Sequence, residues 1–131
     1  MSETEILSEF KRQMITFFDE LIAQFPQEGD LIIMRLFITN QMPIMDVINE
    51  FNYEVNKNKG EKRQVIKDRN ETYFLQCDVT PETHDKYKFS HFRKLWLSGV
   101  LDSEDKRIIW QWIDTFVFLV DKWNKCTQQQ N

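Results

Sequence analysis

The sequence predicts an all-α protein, a single-domain bundle of four to six helices. Apolar side chains recur at three- and four-residue steps over residues 6–25 and again over 108–123, which is the periodicity of amphipathic helices. Only three Gly and three Pro occur in 131 residues, too few for the many turns of a β-sandwich or barrel. This length suits one hydrophobic core. We predict a helical domain over residues 1–126 and a frayed polar tail over 127–131.

Two helices are predicted in the first 40 residues. The first covers roughly residues 3–25, and Pro26 prevents its continuation. The second runs from Asp30, a favourable N-cap residue, to Asn40. Its apolar side chains surround the axis almost completely, which is typical of a helix in the middle of a core. The same run, LIIMRLFIT, also fits a buried strand. We expect a helix, and we expect the bundle to pack around this second helix and the fifth.

The middle of the chain holds two further predicted helices and an ambiguous connection. The third helix starts near Pro43, which suits a first helical turn, and ends near Gly60. Residues 61–79 fit either a short helix or an irregular arm, and the cluster DRNET within them indicates a turn. The fourth helix opens at Thr80-Pro81 and ends at Gly99, which suits a left-handed position.

The fifth predicted helix opens at Asp102 or Ser103 and carries a broad apolar stripe, in which we expect Trp112 and Phe116 to be core residues. Trp110 lies two residues before Trp112, about 200° away around a helix axis. Both indoles therefore cannot face the same neighbour. Trp110 either fills a second internal contact or contributes to a binding surface, where tryptophan is enriched.

Composition and charge narrow the classes of function. The net charge is −4 and the pI is about 5.2, so the chain as a whole has no attraction for nucleic acid or anionic lipid. The first residues, MSETEILSEF, are acidic where a signal peptide is basic, and no run approaches the ~18 apolar residues of a membrane span. These observations predict an intracellular protein without membrane association, whose two cysteines are reduced.

No catalytic or metal-binding constellation is evident. His84 and His91 are seven residues apart, with Asp85 between them, whereas a helical metal pair usually has i,i+4 spacing. Cys77 and Cys126 are 49 positions apart and form no CxxC motif. The three isolated glycines exclude a phosphate-binding glycine loop. We predict no enzyme activity, no metal and no cofactor.

A basic run offers a nucleic-acid alternative. Phosphates could bind its cations, and bases could stack on the aromatic pair that follows. Glu61 and Asp68 interrupt the run, and a solvated face between helices is the commoner meaning of such a pattern. Nucleic acid is therefore not the expected partner. The basic residues are Lys57, Lys59, Lys62, Arg63, Lys67 and Arg69.

Three tracts carry a resemblance: FFDELIAQFPQEGDL at 17–31, VIKDRNETYFL at 65–75 and IIWQWIDTFVFLVDKW at 108–123. Together they resemble small uncharacterised proteins of large nucleocytoplasmic DNA viruses. The resemblance implies a viral or virus-related origin and an intracellular site of action, in the host cell or in the virion. It includes no catalytic motif.

The surplus of aromatic residues, 14% of the chain, is the strongest positive signal of function. We expect a non-enzymatic helical module for protein–protein interaction, a viral accessory protein that binds another protein or a second copy of itself. The alternative is a minor structural component of a viral particle, and a nucleic-acid-associated accessory role comes third. We expect an exposed apolar patch as the contact surface, with Trp110, Tyr73 and Phe74 as its residues.

Overall fold

A computed structural model describes residues 2–76 and 94–128, without the side chains of 74–76. The described helices are α1 (Glu3–Gln24), α2 (Gly29–Leu36), α3 (Ile44–Lys67), α4 (Glu71–Gln76) and α5 (Ser103–Gln128). A π-helical turn, Phe37–Gln41, continues α2, and residues 94–97 are also helical. The described ranges contain no strand, so the all-α class is confirmed.

Several residues named in the sequence predictions lie outside the described part of the chain. Cys77, His84, Asp85, His91 and the start predicted at Thr80-Pro81 lie outside the described residues. Of the predicted polar tail, residues 127 and 128 belong to the last turn of α5, and residues 129–131 also lie outside the described part.

Helices α1, α3 and α5 form the core, because each packs against the other two. Their apolar stripes meet in an aromatic cluster centred on Phe116, which lies 5.6 Å from Phe10, 5.7 Å from Phe17 and 6.3 Å from Phe51 between ring centroids. Phe116 is buried, as predicted. Trp112 stacks on Phe116 but is only half-buried, so it belongs to the edge of the core rather than its centre.

The prediction that the second helix is central to the bundle is wrong. The segment is helical, but Leu31 is the only buried side chain of α2. Among the described helices, α1 is the only long one against which α2 packs extensively. The reason is geometric. The π turn and Pro43 bend the chain, so that the helical segment Gly29–Gln41 and α3 make an angle of 116°. An eight-residue helix turned away in this manner is covered on one side only.

Helix α3 is interrupted between residues 57 and 60, close to the helix end predicted at Gly60. Asn58, Lys59 and Gly60 adopt consecutive left-handed conformations, with φ of 54°, 61° and 79°. Residues 61–67 are helical again, and a turn follows at 68–70 within the DRNET cluster, as predicted. Gly99 also has the expected left-handed conformation, with φ of 83°.

Candidate protein-binding surface

The side of α2 that points away from α1 is apolar and exposed. Ile33 is 62% exposed, Leu36 48% and Ile32 43%. Together with Gly29, these residues have the spacing i, i+3, i+4, i+7, so they form one stripe along the helix. We call these four residues the outer face of α2. An added Cβ at Gly29 would meet no atom within 4 Å, so this end of the stripe is open.

Contacts on the opposite side fix the rotation of α2 about its axis. Leu31 is buried, and Met34 and Ile38 are partly buried against the core. Arg35 donates a hydrogen bond from Nε to Oδ1 of Asp19 on α1, at 2.6 Å. Because apolar contacts and an ion pair both hold this side against α1, the outer face cannot turn inward without breaking them.

The π turn that follows α2 has its own support. The Thr39 hydroxyl donates to the carbonyl oxygens of Arg35 at 3.0 Å and Leu36 at 3.1 Å. The Met42 amide closes the wide turn by donating to the Phe37 carbonyl at 3.0 Å. These bonds give carbonyl groups at the end of α2 hydrogen-bond partners. The bend that leaves the outer face uncovered is therefore a hydrogen-bonded structure.

The stretch of sequence that contains the outer face is acidic. Residues 26–50 contain four acidic side chains and one basic side chain, Arg35, which is paired with Asp19. Glu28 directly precedes the outer face, and Asp46 follows the exposed Met45 in the first turn of α3. Neither Glu28 nor Asp46 forms an ion pair with another described residue. Described side chains therefore do not neutralise these two carboxylates through ion pairs.

Trp110, predicted as a contact residue, is buried within the fold. It is only 6% exposed. Its ring meets that of Trp96 edge-on at 5.5 Å between centroids, and the Arg69 guanidinium lies 5.5 Å from the ring centroid. Of the two alternatives for Trp110, the structure therefore supports the second internal contact. Because Trp110 and Trp112 lie on different sides of α5, they need different neighbours. Trp96, within residues 94–97, is the neighbour of Trp110.

A polar network surrounds this tryptophan pair. The indole N–H of Trp96 donates to Oε1 of Glu71 at 2.7 Å, and Nζ of Lys106 donates to the same oxygen at 3.1 Å. The hydrogen bond from Trp96 and, after it, Lys106 hold the pKa of Glu71 below its usual value, against a smaller opposing effect of burial. Glu71 thus ties α4 to α5 and to the residues just before it.

Tyr73 and Phe74, the other two predicted contact residues, lie on α4. Tyr73 is exposed, and its hydroxyl donates a hydrogen bond to the carboxylate of Glu61 on α3. The side chain of Phe74 lies outside the described part. Tyr73 is therefore accessible to a partner, and its role as a contact residue stays a prediction.

Ion pairs within the chain engage most of the basic run. Arg63 donates two hydrogen bonds to Asp121, at 2.9 and 2.7 Å, and Arg69 is bonded to Asp114 in the same two-pronged manner. Lys57 and Lys62 both contact the carboxylate of Glu54. Lys59 and Lys67 alone of the six form no ion pair with a described residue. Four of the six basic side chains are therefore engaged in ion pairs within the chain. Only Lys59 and Lys67 have no described carboxylate that would compete with a phosphate group.

An open cleft of about 380 Å³ lies beside the start of α5. Arg69, Glu71, Lys106 and Arg107 line it, but each already pairs with a charged side chain. Among the described residues, no three His, Cys, Asp or Glu side chains are arranged to hold a metal ion. Cys126 is half-buried and packs against the core. The four charged residues named in this cleft are therefore already engaged in ion pairs within the chain.

The sequence reasoning missed the outer face of α2, although the signal was present. In the second predicted helix, apolar residues surround the helix axis almost completely. Pro26 and Pro43 limit that segment to a short helix, and a short helix has fewer neighbours to cover all its sides. A helix that is both short and apolar on all sides is therefore expected to leave one face uncovered.

Comparison with protein-family models, curated proteins and solved structures found no match. No single helix among the described residues is both long and apolar enough to cross a membrane. The segment Gly29–Gln41 and α3 reach that length and hydropathy only in combination, across their 116° bend.

Proposed function

We propose that this chain is a non-enzymatic helical module that binds another protein through the outer face of α2. The observation that carries the proposal is the exposure of Ile32, Ile33 and Leu36 on one stripe of a helix whose other side is fixed to α1. Covering a fully exposed aliphatic side chain contributes roughly 1.5–3 kcal/mol. A partner that covers this apolar stripe would therefore gain favourable free energy of binding from the burial of its side chains.

The outer face would be the centre of an interface rather than the whole of it. A stable interface buries about 800 Å² on each partner, and three aliphatic side chains supply only part of that area. Binding energy is commonly concentrated in a few central residues surrounded by polar contacts that exclude water. The acidic residues on either side of the stripe would form this polar rim.

The likeness of three tracts to proteins of large nucleocytoplasmic DNA viruses supplies the biological setting. We propose a viral accessory protein, acting inside the cell, that works by contact with a partner rather than by catalysis. The paired state of the basic run favours a protein partner over nucleic acid, since four of its six cations are engaged in ion pairs within the chain.

Quantitative affinity capture tests this proposal. The native chain, the variant Ile33→Gln and the control variant Phe118→Gln are used as bait in the same cell extract. Ile33 and Phe118 are similarly exposed, at 62% and 57%, but Phe118 lies on α5. Glutamine keeps helix propensity and adds no charge, so each change removes mainly an apolar surface. We expect a partner that the native chain and Phe118→Gln retain equally and that Ile33→Gln loses.

Two outcomes would contradict the proposal. One is a set of retained proteins that Ile33→Gln leaves unchanged. The other is a partner lost with Phe118→Gln instead, which would transfer the binding surface to α5. Circular dichroism of each variant shows that loss of capture does not result from unfolding.

A further inference from the structure

We propose that the partner element that occupies the outer face of α2 is a basic amphipathic helix. This inference rests on the proposed function and specifies the chemistry of its partner. Two independent observations carry it: the spacing of the exposed apolar positions and the sign of the charge around them.

The spacing favours a helix as the occupant. Gly29, Ile32, Ile33 and Leu36 follow the i, i+3, i+4, i+7 pattern that one helix presents to another. Leu31, Met34 and Ile38 on the opposite side already use such a pattern to contact the core. Gly29 has no side chain, so a partner backbone can approach closely at one end of the stripe. With the π turn, the helical segment Gly29–Gln41 is roughly 20 Å long, which is space for about four turns of a partner helix.

The charge favours basic residues beside the apolar positions of that helix. Glu28 and Asp46 stand on either side of the exposed stretch along the chain, without an ion pair to another described residue. The single basic residue of this region, Arg35, is held by Asp19 on the covered side of α2. A helix with Lys or Arg flanking its apolar stripe would bury its apolar residues on Ile33 and Leu36 and place its cations near these carboxylates.

The same charges disfavour a second copy of the chain. In a two-fold symmetric pairing through the outer face, α2 would meet α2 of the other copy, and each acidic residue would face the acidic surroundings of its partner. Like charges opposed across an interface destabilise it. Self-association through this face is therefore not the expected arrangement.

Binding of three designed peptides to the full chain tests the inference. The peptides are helical, about 18 residues long, and share one Leu stripe of i, i+3, i+4, i+7 spacing. Their flanking positions are Lys, Gln or Glu. Calorimetry gives the affinities, and amide chemical shifts of the isotope-labelled chain locate the site. We expect the Lys peptide to bind at least tenfold more tightly than the Glu peptide and to shift mainly the resonances of residues 28–37.

Charge variants then test the roles of Glu28 and Asp46. The double variant Glu28→Gln/Asp46→Asn should bind the Lys peptide about fivefold more weakly, which corresponds to two exposed ion pairs. The matched control is Glu3→Gln/Glu5→Gln, which removes the same amount of charge from the first turn of α1, at the end of α1 that does not lead into α2. This control should leave the affinity for the Lys peptide unchanged. Ile33→Gln should weaken all three peptides, because it removes the apolar contact that they share.

The inference is overturned if the Lys peptide does not bind, if the Gln or Glu peptide binds as tightly, or if the two double variants weaken the Lys peptide equally. Each of these results concerns only the nature of the partner. A Gln peptide bound tightly to residues 28–37 would leave the proposed protein-binding function standing. That function fails separately, when capture from the extract is insensitive to Ile33→Gln.

Discussion

Helices α2 and α5 both carry apolar side chains on most of their circumference, yet their surroundings differ. α5 lies between α1 and α3, and the residues just before it cover a further side. α2 packs mainly on α1 and leaves a whole stripe exposed. The apolar residues around a helix axis therefore set how much apolar surface the helix can bury. The number of neighbouring elements sets how much of that surface is buried in the fold.

The contrast also explains the different fates of the residues chosen from the sequence. Trp110 was a candidate for contact with a partner because one neighbour could not cover it together with Trp112. In the fold it has several neighbours, among them Trp96 and Arg69. Ile33 is predicted to be internal, and it is the most exposed of the three aliphatic side chains on the outer face. Variants of α5 and α2 test this difference in coverage.

The largest effect should come from Phe116→Ala on α5. Phe116 is buried and contacts aromatic rings of α1 and α3, so truncation leaves a cavity where three helices meet. We expect a loss of about 3–5 kcal/mol in the free energy of unfolding, measured by urea denaturation. Phe118→Ala, two residues away and exposed, is the control and should change that free energy by less than about 1 kcal/mol. Equal losses would contradict the orientation of α5.

A smaller effect should follow from Leu31→Ala on the covered side of α2. Leu31 is 2% exposed, and its loss would weaken the contact with α1 by about 2–4 kcal/mol. Because α2 depends mainly on one neighbour, hydrogen exchange should show that its amides lose protection before those of α5. Uniform loss of protection across both helices would show that α2 is as firmly integrated as the core.

Glu71→Gln should have a modest effect that depends on pH. Trp96 and Lys106 hold the pKa of Glu71 below its value in the unfolded chain. The ionised carboxylate therefore stabilises the fold above the unfolded-state pKa, and this contribution disappears as the pH falls through the folded-state pKa. Since the side chain is 42% exposed, we expect no more than about 1 kcal/mol. Urea midpoints of the two proteins should differ near neutral pH and converge as the pH falls through the folded-state pKa of Glu71. A constant difference would contradict this role.

The smallest effect on stability should come from Ile33→Gln on the outer face. Replacing an exposed aliphatic side chain should alter the free energy of unfolding of the isolated chain by no more than about 0.5 kcal/mol. The same variant is expected to abolish partner capture, so it separates folding from binding. A destabilisation comparable to that of Leu31→Ala would mean that the outer face is covered within the chain.

Local pattern was sufficient for most of the secondary structure. The three-to-four periodicity of residues 6–25 and 108–123 predicted α1 and α5 within a few residues of their ends, because that periodicity is a property of the helix itself. Gly60 and Gly99 were recognised as terminators for an equally local reason, the ease with which glycine adopts positive φ. The sequence pattern does not decide whether residues 61–67 are helical, because Val65 and Ile66 alone give too short a pattern.

The order of apolar residues along the chain is sufficient to predict amphipathic helices with a rich aromatic stripe on the last of them. Which apolar surfaces are covered depends on the tertiary structure. The burial of Trp110 depends on Trp96, and the engagement of Arg63 and Arg69 depends on carboxylates 58 and 45 residues away in the chain. The exposure of Ile33 depends on a bend of 116° between two helical segments. Periodicity records the faces of a single helix, whereas burial is a property of pairs of helices, and their positions depend on the packing of the whole chain.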